Sequence, residues 1–170
     1  MRVSVRAASK EDLDPLVDLA RSCLGAARST RGGSRYLANE LRIEPSFLAE
    51  ALSSRLGSPE HLVGIGELDG VPLGLVLAEM TGGADDLRAV RVEVVWVDPG
   101  AREVGLGADL LAQVEAWALS RGAVGIDVPV LPGLREGKNL LESAGYIARL
   151  IVMNRSLPSD PVGGEGVLGA

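Results

Sequence analysis

The sequence predicts an α/β fold, a single mixed β-sheet flanked by helices. Three observations predict it. Residues 61–97 follow an apolar period of two, the segments on either side follow the helical period, and the last third alternates helix with strand. A chain of 170 residues has room for one hydrophobic core without disulfides or metals.

Taken in order, "RVSVRAA" (2–8) alternates as a strand. Residues 9–24 open with a capping signal, Ser9 with Asp12 three residues on, and carry Leu13, Leu16, Val17, Ala20 and Leu24 at helical spacing. Residues 25–35 read as a loop. A second helix is expected over 44–57, with Pro45 near its start and Gly57 after its end. "HLVGIGEL" (61–68), the turn Asp69-Gly70 and 71–80 form a β-hairpin, and 87–97 supply the next strand. The clearest helix, 104–121, aligns Leu110, Leu111, Val114, Trp117 and Ala118 and ends at Gly122. A strand over 124–131, a short helix over 133–145 and a final strand over 146–157 complete a domain spanning 1–157. The Gly/Pro-rich residues 158–170 read as a flexible tail, and no internal repeat or linker divides the rest.

Composition narrows the function. The net charge of −6, without a basic stripe, argues against nucleic acid or an acidic membrane as partner. A lone Cys23 precludes an internal disulfide and suits a reducing compartment. One His and one Cys leave no Cys/His zinc cage, so no metal is expected. The first residues lack a signal-peptide apolar core and no apolar run reaches ~18 residues, so a cytoplasmic location is expected.

The stretch "VDPGAREVGLGADLL" (97–111) passes from strand to helix through Gly105 and Gly107. The first N–H groups of a helix have no intrahelical partner and carry partial positive charge, and glycines there let an anion approach the backbone. A dinucleotide-binding turn is rejected even though Asp127 lies 20 residues after Gly107. Leu110 fills its third glycine position, and the turn follows an antiparallel run rather than the first strand of a parallel sheet.

Arg102-Glu103-Val104-Gly105-Leu106-Gly107 resembles the R/Q-x-x-G-x-G/A segment of the GNAT superfamily, the acyl-CoA-dependent N-acetyltransferases. It begins five residues after Val97, the family's strand-end spacing, and "LLESAGYIARLIVMNRSL" (140–157) resembles the family's late helix, Gly-aromatic pair and last strand. The element order resembles the family's as well, so the likeness covers nearly all of the chain before the tail.

The resemblance implies a GNAT-like (acyl-CoA N-acyltransferase) fold and direct transfer of an acetyl group from acetyl-CoA to a primary amine in a ternary complex. It implies that backbone groups of Val95 and Val97 bond the pantetheine, and that the amides of Arg102, Glu103, Val104, Gly105, Leu106, Gly107 and Ala108 hold the pyrophosphate. Lys138 or Arg135 would meet the 3′-phosphate. The family builds its acceptor site from the first two helices and their connection, where Arg28, Arg31, Arg35 and Tyr36 stand; homodimers are common in it.

An alkyl ammonium, pKa ~10.4, must lose a proton before it attacks, so a base is useful. A period of two puts Arg91, Glu93, Val95 and Val97 on one strand face and Trp96 on the other. Glu93 matches a position where family members often carry an acid/base residue, acting directly or through water. The competing reading is a strand carboxylate paired with Arg91. Glu79 on the neighbouring strand is the reserve base.

The family pattern is broken in places. Leu141 and Leu134 stand where the family's Tyr and Asn are expected, and Glu103 lies where basic or small residues are commoner. These departures keep open an alternative, a degenerate acyl-CoA-binding sensor without catalysis. Tyr146 and Trp96 read as core, Cys23 as a structural thiol and His61 as structural. The acceptor is a small-molecule or peptide amine; the net charge favours a cation, whereas the arginine loop favours an anionic group.

Overall fold

A single residue sets the architecture of one inner strand. The structure, a computed structural model, describes residues 1–39, 45–82, 87–153 and 155. The sheet contains β1 (Val3–Ala7), β2 (His61–Leu68), β3 (Val71–Gly82), β4 (Arg88–Val97) and β5 (Ile126–Asp127), in that spatial order. The first three pairings are antiparallel and β4–β5 is parallel. Across β3–β4, Leu77 pairs with Val94 but Ala78 pairs with Val92, so Glu93 is the extra residue of a β-bulge.

The bulge shifts the alternation of β4. Val90 and Val92 pack into the core on one face of the sheet, Val94 and Trp96 into the other, and Val97 returns to the first. The expected common face for Arg91, Glu93, Val95 and Val97 is therefore corrected. Val95 and Val97 face one side, while Glu93 shares the opposite side with Val94 and Trp96, so Trp96 does not face away from Glu93.

Each face is covered by helices. α1 (Leu13–Ser29) and α3 (Leu48–Arg55) bury Leu16, Leu19, Leu24, Leu48 and Leu52 against Val63, Ile65, Leu75, Leu77 and Val94. On the other face, α4 (Leu106–Ser120) buries Leu106, Leu110, Val114 and Ala118 against Leu62, Val76, Ala78, Val90 and Val92. α4 is the crossover that a parallel β4–β5 pair requires. The hairpin turn is as expected, with Asp69 at φ 50° and Gly70 at φ 82°, the left-handed pair of a tight two-residue turn.

Elsewhere the structure departs from the sequence reading. The expected loop 25–35 is largely helical: α1 continues to Ser29 on helix-forming Ala26 and Ala27, and α2 (Gly33–Asn39) begins three residues after Thr30. A Cβ on Gly33 would lie 1.6 Å from the Ala27 carbonyl oxygen, so the two helices turn on this glycine. The helix expected over 44–57 is a 3-10 turn (Pro45–Phe47) leading into α3, with residue 44 outside the described residues.

The strand expected over 124–131 shrinks to the two residues of β5, because Pro129 cannot donate to a ladder. α5 (Arg135–Ser143) follows as expected. Residues 146–153 form no strand, since a two-residue β5 gives them no ladder to join. The supposed tail, 158–170, lies outside the described residues.

Candidate active site

β5 meets β4 only through Val90–Ile126 and Arg91–Asp127. From Val92 to Val97 that edge of β4 has no strand neighbour among the described residues. Two groups touch it. The Tyr36 hydroxyl donates to the Glu93 carbonyl at 3.2 Å, and Arg102 Nε donates to the Val97 carbonyl at 3.2 Å. The two-residue period puts the N–H and C=O of Val95 on the same edge, between these contacts. An extended ligand can pair there as a further strand.

This edge runs into the glycine turn. Asp98 accepts the Gly100 N–H at 2.9 Å and starts a 3-10 turn (Pro99–Ala101). Glu103 (φ 68°) and Gly105 (φ 91°) then take left-handed conformations, and Gly105 is the N-cap of α4. No side chain caps this helix, which leaves the first-turn amides of Leu106, Gly107 and Ala108 without intrahelical acceptors. These donors fit an anionic group. Val104 packs against the α4 core, while Glu103 and Ala108 are exposed.

The two glycines serve different ends. Gly105 has open space around it and is required by its backbone conformation, whereas a Cβ on Gly107 would come within 2.9 Å of Leu140 Cδ2 on α5. At 107 the space is bounded by the end of the Leu140 side chain. Arg102 stacks 5.2 Å over the Trp96 ring and pairs with Glu136 on α5, besides bonding Val97. Lys138 is exposed and pairs with Glu142 at 3.3 Å; Arg135 is also exposed.

Glu93 is the most constrained candidate. Arg55 Nε and Nη2 donate to its two carboxylate oxygens, each at 2.8 Å, and the two side chains are 13% and 8% exposed. The observed partner is Arg55 of α3. Glu93 is the main cause holding the Arg55 pKa above its ordinary value, and Glu79 adds to it across space. Glu79 is half-buried on β3, in register with His61 on β2 and Arg91 on β4. Sequence reasoning did not single out Arg55. The available signal was its place on the buried stripe of α3, three residues after Leu52 and seven after Leu48.

The acceptor-side expectations divide. Tyr36 reaches the β4 edge, but Arg28, Arg31 and Arg35 are exposed, the first in the last turn of α1. Arg31 lies beside the turn preceding α5, where a Cβ on Gly133 would stand 3.5 Å from the Arg31 backbone nitrogen. Leu141, at the expected Tyr position, is 7% exposed core. Burial, then Glu115, pushes the Tyr146 phenol up to about 12, which makes it a poor acid. Burial alone pushes Cys23 up to about 11, in keeping with a structural thiol, and His61 Nδ1 lies 2.9 Å from Ser58 Oγ. Among the described residues, no group of three or more His, Cys, Asp or Glu is arranged to hold a metal ion, and no helix is long and apolar enough to cross a membrane.

Solved structures share this fold. The aminoglycoside N-acetyltransferase AAC(6')-Iy in complex with CoA superposes with a TM-score of 0.71 at 17% identity, over 91% of this chain and 95% of that one. A variant of a Bacillus halodurans protein gives a TM-score of 0.76 at 15% identity, over 91% and 99%. The ribosomal-protein-alanine N-acetyltransferase of Brucella melitensis biovar Abortus 2308 gives 0.65 at 18% identity, over 92% and 100%. At these identities the likeness is one of fold. A search of curated proteins finds no matching sequence. Residues 17–146, well over half of the chain, match the model of the acetyltransferase (GNAT) family, so the chain belongs to that family of acyl-CoA-dependent N-acyltransferases.

Proposed function

We propose that this chain transfers the acetyl group of acetyl-CoA to a primary amine in one step within a ternary complex, in the cytoplasm. What carries the reading is the continuity between the edge of β4 that has no strand neighbour among the described residues and the N-terminus of α4 that no side chain caps. In this assignment the backbone of Val95 and Val97 pairs with the extended pantetheine, and the amides of Leu106, Gly107 and Ala108 hold the pyrophosphate. Arg102 braces the turn that presents those amides, through Val97, Trp96 and Glu136. Lys138 takes the outlying phosphate. Bound acetyl-CoA supplies an acyl carbon whose transfer to nitrogen frees a thiol of pKa ~8.5, which leaves without a strong acid; Leu141 at the expected Tyr position is compatible with that.

Glu93 acts as a fixed carboxylate. With Arg55 on both oxygens it holds the acceptor ammonium, or a water that relays its proton, and the neighbouring Glu79 is the other candidate to receive that proton. The acceptor is then a cationic small molecule or peptide amine. The same Arg55 pairing favours a second reading, acyl-CoA binding without turnover, because both oxygens of Glu93 already accept from Arg55.

Calorimetric titration with acetyl-CoA and CoA, followed by thiol release against an amine panel, separates the readings. Micromolar binding with amine-dependent release supports transfer, binding without release supports the second reading, and no binding overturns both. Ala108→Glu is the control. It adds a carboxylate at an exposed first-turn position, which suits the helix dipole but repels a phosphate, so binding should weaken at least ~10-fold with stability unchanged.

A further inference from the structure

Building on the transfer reading, we infer that the corner between α1 and α2 is an anion subsite of the acceptor site, so that the amine acetylated is a small molecule carrying a carboxylate or a phosphate. Residues 19–39 contain no Asp or Glu, in a chain of net charge −6, yet hold Arg21, Arg28, Arg31 and Arg35. Arg21 pairs with Asp18. The other three are exposed and form no ion pair or side-chain hydrogen bond among the described residues. By contrast, Arg6, Arg55, Arg88, Arg102 and Arg149 each hold a carboxylate. The acidic residues of α5 do not relieve the corner, since Glu136 is held by Arg102 and Glu142 by Lys138. A cluster of one sign in an otherwise acidic protein concentrates ligands of the opposite sign.

The corner is held in shape by its own backbone. The Thr30 N–H donates to the Ala27 carbonyl at 3.0 Å, the Gly33 N–H to Thr30 at 2.9 Å and the Tyr36 N–H to Gly32 at 3.0 Å. Guanidinium groups carried on such a fixed frame suit the planar fork of a carboxylate or phosphate. Position links the corner to the reacting end. Arg35 precedes Tyr36, whose hydroxyl lies 3.2 Å from the Glu93 carbonyl. Consecutive Cα atoms are ~3.8 Å apart, so the corner stands about one tyrosine side chain from Glu93. Glu79, half-buried beyond Leu77 on the same face, makes no hydrogen bond or ion pair among the described residues. A molecule with its ammonium at Glu93 and Glu79 and its anion at the corner meets opposite charge at both ends. The corner also abuts the turn before α5, where a Cβ on Gly133 would lie 2.9 Å from Thr30 Cγ2 and 3.5 Å from the Arg31 backbone nitrogen. That contact bars a polypeptide from crossing there and favours a short acceptor.

Matched probes test this. The protein, in excess CoA, is titrated calorimetrically with β-alanine against its amide and with aminoethyl phosphate against ethanolamine. At least one anionic amine should bind ~10-fold or more tightly than its neutral match, and the pair with the larger preference names the anion. Arg31→Gln combined with Arg35→Gln should remove most of that preference, and Arg31→Glu with Arg35→Glu should turn it toward a diamine of similar length. Arg21→Gln, on the paired arginine of α1, should leave it unchanged. Thiol release from acetyl-CoA is followed with the same amines. Preference without release would keep the subsite and remove the transfer reading, whereas release without preference would do the reverse. Equal binding within both pairs, no binding by either anionic amine, a wild type that prefers the diamine, a preference that survives the double variant, or binding confined to an acidic peptide would each overturn the proposal.

Discussion

Arg55 on α3 grips Glu93 at the β4 bulge through two hydrogen bonds of 2.8 Å, joining the helical layer to the one residue that falls out of the β3–β4 register. The bulge provides the room, since an in-register residue would have a partner on β3, whereas Glu93 is turned to α3. Removing either side chain strands the other's charge under the helix. Arg55→Met or Glu93→Leu should therefore each cost about 3 kcal/mol. The double variant should cost well under the sum, as urea denaturation would measure. Additive losses would mean that the pair does not act as a unit.

Gly107 sets a second expectation. Its added Cβ would push aside the end of the flexible Leu140 side chain, a small cost that the helix preference of Ala over Gly offsets. Gly107→Ala should therefore change stability by less than ~1 kcal/mol, as thermal melts would measure. A loss above ~2 kcal/mol would show that α5 cannot give way to α4.

Asp12 predicts a pH dependence. Arg6 donates to both its oxygens at 2.8 and 2.7 Å and the Ser9 N–H donates at 2.7 Å, so its carboxyl is held well below the usual range, chiefly by Arg6. A depressed folded pKa means that the ionised form stabilises the fold. That contribution is complete above the unfolded pKa of ~3.9 and drains away as pH falls through the folded value. Asp12→Asn should thus be clearly less stable than wild type at neutral pH, with the gap narrowing from about pH 4 downward. A gap independent of pH would assign the Asp12 effect to packing.

Cys23 should be chemically quiet. With its thiol pushed up to about 11 by burial, almost no thiolate exists at neutral pH. Its reaction with a disulfide reagent should be slow in the native protein and fast in urea, and Cys23→Ala should keep amine-dependent thiol release. Loss of that release would implicate the thiol in the reaction.

Much of this fold was legible in the sequence. The Asp69-Gly70 turn, the α4 stripe of Leu110, Leu111, Val114 and Ala118, and the glycine cap of that helix each follow from a local rule that the tertiary structure obeys. The bulge was not legible, because residues 92–97 are apolar in both phases around Glu93 and neither phase betrays a shift. The Arg55 pairing was hidden for the same reason, since it depends on where the bulge turns Glu93. The arginines and glycines of 25–35 suggested a loop, but Ala26 and Ala27 continue the helix. Pro129 did signal the early end of β5, against the pull of Val128, Val130 and Leu131. The glycine turn from strand to helix was found correctly, yet the neighbour of Gly107, Leu140 on α5, is one that spacing alone cannot bring into contact.

The bulge also separates two duties along β4. Glu93 has no partner on β3, whereas Val92 and Val94 pair with the consecutive residues Ala78 and Leu77. Trimming Glu93 would therefore leave Val92 and Val94 to Val97 opposite the same partners and in the same two compartments. The ladder would close into a regular one, and only Arg55 and the Tyr36 hydroxyl would lose the groups they bond on Glu93. Trimming Val94 or Val95 instead would move every residue beyond the cut by one place and send it to the other face. The extra residue is thus an insertion that the sheet itself does not need.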